Sequence, residues 1–89
     1  MRYDYPFETA NEQKKLDVWA KGKIDPDRDQ AEWRRDINGK LMRYSQHGNV
    51  ESNFGWEIDH IKPTAKGGSD DLDNLQPLQW QSNRDKGDD

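Results

Sequence analysis

This chain has no cysteine, and for a small domain that is the tightest constraint on what it can become. Domains with thin cores usually take a disulfide or a structural metal as a staple, and neither a disulfide nor a thiolate zinc site can form here. Only 29% of the 89 residues are hydrophobic against 36% charged, a balance that leans toward disorder. Four Trp, three Tyr and two Phe pull the other way, because each buries a large area for one position. Together these predict one folded, core-poor domain over residues 1–89, packed on aromatics. A metal held by Asp, Asn or His remains as the one kind of staple open to it.

Along the chain, "TANEQKKLDVWAKG" reads as a helix. Thr9 and Glu12 stand at capping-box spacing, Leu16, Trp19 and Ala20 share one face, and Gly22 suits the stop. The acidic, proline-containing "KIDPDRDQ" reads as a loop. "WRRDINGKLMRY" then carries Asn38-Gly39, the strongest short hairpin signal. A two-residue turn there sets Ile37 opposite Lys40, Arg35 opposite Met42 and Trp33 opposite Tyr44 on one face. On the other face it sets Asp36 opposite Leu41 and Arg34 opposite Arg43. The first face offers Trp33, Ile37, Met42 and Tyr44 to a core. The second opposes two arginines, which costs stability unless an anion or Asp36 compensates. Two readings stand side by side: a surface hairpin with incidental charges, or a phosphate clamp of Arg34 and Arg43, since guanidinium suits bidentate phosphate contacts.

The C-terminal half reads strand, loop, strand, helix. "SQHGNVESNFG" is a polar connection, in which His47 reads as a solvated loop residue rather than a ligand. "WEIDHI" is a short strand, "KPTAKGGSDDLDN" a long loop with a Gly-Gly turn, and "LQPL" a second strand. Pro77 within that strand points to an edge or an irregular pairing. "QWQSNRDKG" is a short helix that Gly87 stops. Asp59 and His60 stand together at the end of the first strand, an odd placement for residues meant only to be buried. Strict alternation sends them to opposite faces. Serving one ligand therefore requires the strand to end or twist sharply near His60, which Pro63 favours.

The stretch "EIDHIKPTAKGGSDDLDNLQPLQWQSNRDKGD" resembles the HNH nuclease family, whose ββα-metal fold carries a His, an Asn and a final His or Asn. Here those positions are His60, Asn74 and Asn83. The stretch also looks like the HNH domain of RNA-guided CRISPR effector nucleases, where the last position is likewise Asn. The resemblance implies an α+β fold in which a helix and hairpin over residues 1–54 join a ββα-metal motif over residues 55–87. It implies that His60 is the general base and that Asp59 and Asn83 are metal ligands. Asn74 would tie the long loop to the two strands through backbone groups, and Lys86, one helical turn beyond Asn83, would touch phosphate.

These residue types suit phosphodiester hydrolysis, which needs a nucleophilic water, a stabilised anionic transition state and a neutralised leaving alkoxide. A neutral imidazole near its working pH can take the proton from water. A divalent cation can serve the phosphate oxygen and the leaving group together. One anionic and one neutral oxygen donor suit Mg²⁺ or Mn²⁺, with water and substrate completing the shell. Many family members hold a structural zinc with cysteine pairs. Gln79 and Ser82 stand at the downstream pair, so no structural zinc is expected, and packing of Trp80 against the N-terminal half would take its place.

Plainer readings accompany these. Asp59 and His60 could be a structural hydrogen-bonded pair, and Asn83 an ordinary polar helix residue. Trp56 and Trp80 read as core, and Asp70, Asp71 and Asp73 as partners of turn and cap backbone groups. Glu57 reads as a salt-bridge partner or as an acceptor behind the site. The net charge of −4 argues against a simple DNA-coating protein. Acidic residues gather in "DPDRDQAE", "SDDLD" and the final "DD", which leaves room for a local basic face from Arg34, Arg43, Lys62 and Lys86. The expected activity is metal-dependent endonuclease cleavage of DNA, double-stranded by preference, with a protein partner supplying specificity. The alternative is a catalytically silent HNH-like domain that binds nucleic acid or protein. With no apolar run long enough for a leader or a membrane span, no membrane partner is expected and the expected compartment is the cytoplasm.

Overall fold

The computed structural model describes residues 5–87, with side chains from residue 11 onward. Helix α1 runs Tyr5–Trp19. It begins ahead of the expected Thr9 cap, and the Thr9 side chain lies outside the described residues. Among its described side chains only Val18 and Trp19 of the last turn are buried, while Leu16 remains 43% exposed and Ala20 faces solvent. The expected stripe of Leu16, Trp19 and Ala20 is thus corrected. Among the side chains described, position in the last turn decides burial. Lys21 pins that end by donating from Nζ to the carbonyls of Leu72 and Leu75.

Strand β1, Lys23–Ile24, pairs antiparallel with β2, Trp33–Arg35, which pairs with β3, Leu41–Arg43. The hairpin at Asn38-Gly39 forms, but one residue out of the expected register: Trp33 faces Arg43, Arg34 faces Met42 and Arg35 faces Leu41. The cause is Asp36. Its Oδ1 accepts from the backbone N–H of Asn38 and of Lys40, both at 2.9 Å, and its own N–H donates to the Lys40 carbonyl at 2.9 Å. That lengthens the loop to three residues, closed by Gly39 at φ +84°, a left-handed conformation that favours glycine. A one-residue slip changes every cross-strand partner. Arg34 and Arg43 do not face each other, and Ile37 is exposed rather than in the core.

Strand β4, Trp56–His60, pairs antiparallel with β5, Leu75–Gln79, from Trp56↔Gln79 to His60↔Leu75. It ends at His60. Helix α2, Trp80–Lys86, follows β5 directly, so the C-terminal half has the expected ββα order and the fold class is α+β. One core joins the two halves: Val18 and Trp19 from α1, Met42 from β3, Trp56 from β4 and Leu75 from β5, with Tyr44 and Ile58 packed against them. The Trp19 ring lies 5.0 Å from Trp56 and 5.4 Å from Tyr44.

Hydrogen bonds hold the start of α2 to the hairpin and to the connection before β4. Gln79 caps α2 by accepting from Gln81 and Ser82 N–H, and its Nε2 donates to the Asn53 carbonyl at 3.0 Å. The Gln79 N–H donates to Asp36 Oδ2 at 3.1 Å, and Trp80 Nε1 donates to the Ser52 carbonyl at 2.8 Å. Gln79 thus binds the hairpin loop, the connection before β4 and the start of α2 to one another.

Candidate active site at the β4–α2 junction

Alternation along β4 sorts its side chains. Glu57 and Asp59 turn toward α2, where their carboxylates meet Asn83, Arg84 and Lys86. Asp59 is 6% exposed and fully engaged. Lys86 Nζ donates to its two oxygens at 3.0 and 2.8 Å, and Gln76 Nε2 donates to Oδ2 at 2.9 Å. The same ammonium donates to the His60 carbonyl at 2.7 Å. Lys86 therefore sits on the expected ligand Asp59. Asn83 Nδ2 donates to Glu57 Oε1 at 2.7 Å. Because an ionised Glu57 can only accept, this bond fixes the amide with its oxygen as the end left for another partner. Glu57 also accepts from Arg84 at 3.2 Å, which makes it both an ion-pair partner and an acceptor behind the site.

His60 points away from Asp59 but lies at the strand end, so it reaches the rim of the same hollow. Asp59, His60 and Asn83 line one cleft of about 240 Å³, closed by Pro63 and Thr64. His60 Nε2 lies 2.7 Å from Asp70 Oδ1. That hydrogen bond, and then the charge interaction with His60, hold the Asp70 carboxyl below the usual carboxylate range. Asp70 thus meets a side chain and not the turn backbone it was expected to serve. Nothing in the sequence singles it out, because the contact crosses an irregular loop without periodicity.

Asn74 shapes that loop. Its Oδ1 accepts from Lys62 N–H at 2.8 Å, and its Nδ2 donates to the carbonyls of Lys62 and Ser69 at 3.0 and 2.8 Å. Its own carbonyl accepts from Ile61 N–H at 2.7 Å. A side chain at Gly68 would run into the Lys62 carbonyl and the Asn74 amide, so the loop closes this tightly only with glycine there. Asn74 makes backbone contacts, as the sequence implied, and through Ser69 it sets the position of Asp70.

The basic residues are less concentrated than expected. Arg34 spends its guanidinium on the carbonyls of Ala20, Gly22 and Gln30. Arg43 pairs with Glu32 at 3.0 Å and lies over the Trp33 ring. The two form no clamp, because the register separates them and each has a structural partner. Lys62 is exposed beside the loop. His47 packs edge-on to Trp56 with ring centroids 4.7 Å apart, rather than standing free in its loop. Burial, with the nearby Lys15 charge, pushes its pKa down.

The donor set fits a hard divalent cation. Asp59 supplies an anionic oxygen and Asn83 a neutral one, and the Lys86 ammonium shows that a positive charge is already favoured against Asp59. Among the described residues no cluster of three or more His, Cys, Asp or Glu forms a metal site, so water and substrate would complete the shell. Among the same residues no helix is long and apolar enough to cross a membrane. Comparison with characterised proteins and with solved structures gives no match. Residues 46–89, the segment that carries β4, the long loop, β5 and α2, match the HNH endonuclease family.

Proposed function

We propose that the chain is a metal-dependent endonuclease acting on DNA phosphodiester bonds, and that its two halves work as one domain. The observation that carries this reading is the single cleft shared by Asp59, His60 and Asn83. Asp59 and Asn83 would hold Mg²⁺ or Mn²⁺, which when bound would offset charge on the phosphate and the leaving oxygen. His60 takes the proton from the attacking water. With Nε2 committed to an ionised Asp70 as donor, the lone pair resides on Nδ1, and Nδ1 is the basic nitrogen. Asn74 holds the loop that delivers Asp70. Lys62 at the loop and Lys86, which contacts Asp59, would contact the phosphate, with Lys86 leaving Asp59 for it when metal enters.

A silent HNH-like domain is the second reading, favoured by the fact that Asp59 and Asn83 already carry protein partners, Lys86 and Glu57. Cleavage of a supercoiled plasmid in Mg²⁺ or Mn²⁺ decides between them. The nuclease reading expects relaxed or linear product, with the rate in His60→Ala lower by on the order of 10²-fold or more. A parent that leaves the plasmid intact in both metals, or a His60→Ala variant as fast as the parent, sinks it.

A further inference from the structure

A second and larger hollow, of about 640 Å³, lies against the other side of His60. Its wall is α1, through Asn11, Glu12, Lys14 and Lys15, and its floor is Ile58 and His60. Ile58 and His60 also line the smaller cleft that holds Asp59 and Asn83. The two hollows therefore meet at His60. A polymer whose reacting phosphate sits at His60 must leave the cleft in some direction, and this groove opens from that point.

We infer that the groove between α1 and β4 binds the sugar–phosphate backbone of the DNA strand flanking the cleaved bond, with Lys14 and Lys15 contacting its phosphates. The inference rests on the nuclease reading for its substrate, but α1 lies outside the family segment of residues 46–89.

The charges favour an anion. Two ammonium groups face one carboxylate, and that carboxylate is already engaged: Glu12 accepts from Tyr44 Oη at 2.6 Å and lies 3.5 Å from Lys15. Lys14 is exposed and makes no ion pair among the described residues; its charge is felt at Asp70 without contact. The far rim is the His47 ring, whose pKa burial and the Lys15 charge push down. Two cations on one wall with the flat His47 ring and the apolar side chain of Ile58 opposite match a backbone's alternation of phosphate and sugar. A chain of net charge −4 needs such a local concentration of positive charge to hold DNA at all.

Binding of a labelled DNA duplex, measured by anisotropy over a range of salt in EDTA, tests this without relying on cleavage. Each phosphate contact contributes about 0.9 to the slope of log affinity against log salt. The Lys14→Gln/Lys15→Gln double variant is expected to flatten that slope by about 1 to 2 and to weaken binding about tenfold or more at moderate salt. Asn11→Lys, which adds a cation to the same wall, is expected to steepen it by about 1. Should the double variant melt early, Lys14→Gln and Asn11→Lys, both at exposed positions, carry the test. Unchanged slopes in a parent that binds and cleaves DNA overturn the groove alone. A parent that binds with the expected slope changes but does not cleave keeps the groove and overturns the nuclease reading. A parent that does not bind DNA overturns both.

Discussion

Asp59 is the residue on which the chemistry turns, and its state is set by Lys86. A carboxylate at 6% exposure is stable only with its charge matched, and the ammonium 2.8 Å away does this. A divalent cation at the same oxygens competes with it. Replacing Lys86 by Met should therefore lower the metal-free melting temperature, through an unpaired carboxylate that costs roughly 1–3 kcal/mol. The same change should tighten Mn²⁺ binding, so that adding Mn²⁺ recovers most of the lost stability. Calorimetric titration showing equal Mn²⁺ affinity in parent and variant would place the cation away from Asp59. Asp70 offers a second residue-scale test. If it fixes His60 in the tautomer with the proton on Nε2, Asp70→Asn should reduce the turnover number with little change in KM. The loss should be about tenfold, a fraction of the roughly 10²–10⁴ that a positioned base supplies. Asp70→Glu should restore part of it, and equal losses in the Asn and Glu variants would reduce Asp70 to a loop residue.

The hairpin shows what an element reveals in sequence and what it hides. Asn38-Gly39 announced the turn, and the turn is there. Its register was set by a hydrogen bond no spacing rule contains, the Asp36 carboxylate reaching forward to two backbone N–H groups. The slip exposed Ile37, parted Arg34 from Arg43 and with them removed the phosphate clamp. In the same way the strand-loop-strand-helix order of the C-terminal half was legible, because the motif fixes spacing along 46–89. The α1 stripe was not, because of the described α1 side chains only those of the last turn reach the core. Asp59, His60 and Asn83, picked out by the motif, line one cleft, whereas Asp70 and the lysines of α1 depend on a loop path and a docking angle that local sequence does not encode. Asp36 is 1% exposed and also accepts from Gln79 N–H, so it locks hairpin to β5. Asp36→Ala should cost about 2–4 kcal/mol in urea denaturation, from the buried Gln79 N–H and the part-buried N–H groups of Asn38 and Lys40 left unmatched. Gly39→Ala should cost roughly 1–2 kcal/mol through its left-handed backbone. A loss in Asp36→Ala no larger than that in Gly39→Ala would mean the carboxylate only decorates the turn.

At the scale of the whole molecule, a core of a few large side chains is made from both halves, and carboxylates fasten its edges. Glu12 ties α1 to the residue after β3 through Tyr44 Oη, Asp25 ties the loop after β1 to Arg35, and Asp70 ties the long loop to His60. All three carboxyls are held below the usual range: Glu12 chiefly by the Tyr44 hydrogen bond, Asp25 by the N–H of Asp27 and then by Arg35, Asp70 by the hydrogen bond with His60. A group whose folded pKa is depressed contributes stability that is present above its unfolded pKa, near 4 for a carboxyl. That contribution is lost as pH falls through the lower folded value. Stability should therefore be flat with respect to these three groups above about pH 5 and decline below about pH 4. Because Trp19, Trp56 and Tyr44 pack on one another, loosening α1 should expose all three rings together, seen as one red shift in tryptophan emission. Tyr44→Phe removes the main cause of the Glu12 shift while keeping the ring. It should make the acid-dependent part of the stability smaller than in the parent, although the variant is less stable at neutral pH. If parent and Tyr44→Phe lose stability in parallel between pH 5 and 2.5, the tether between Glu12 and Tyr44 does not hold α1, and the wall of the groove beside His60 must be fastened by Val18, Trp19 and Lys21.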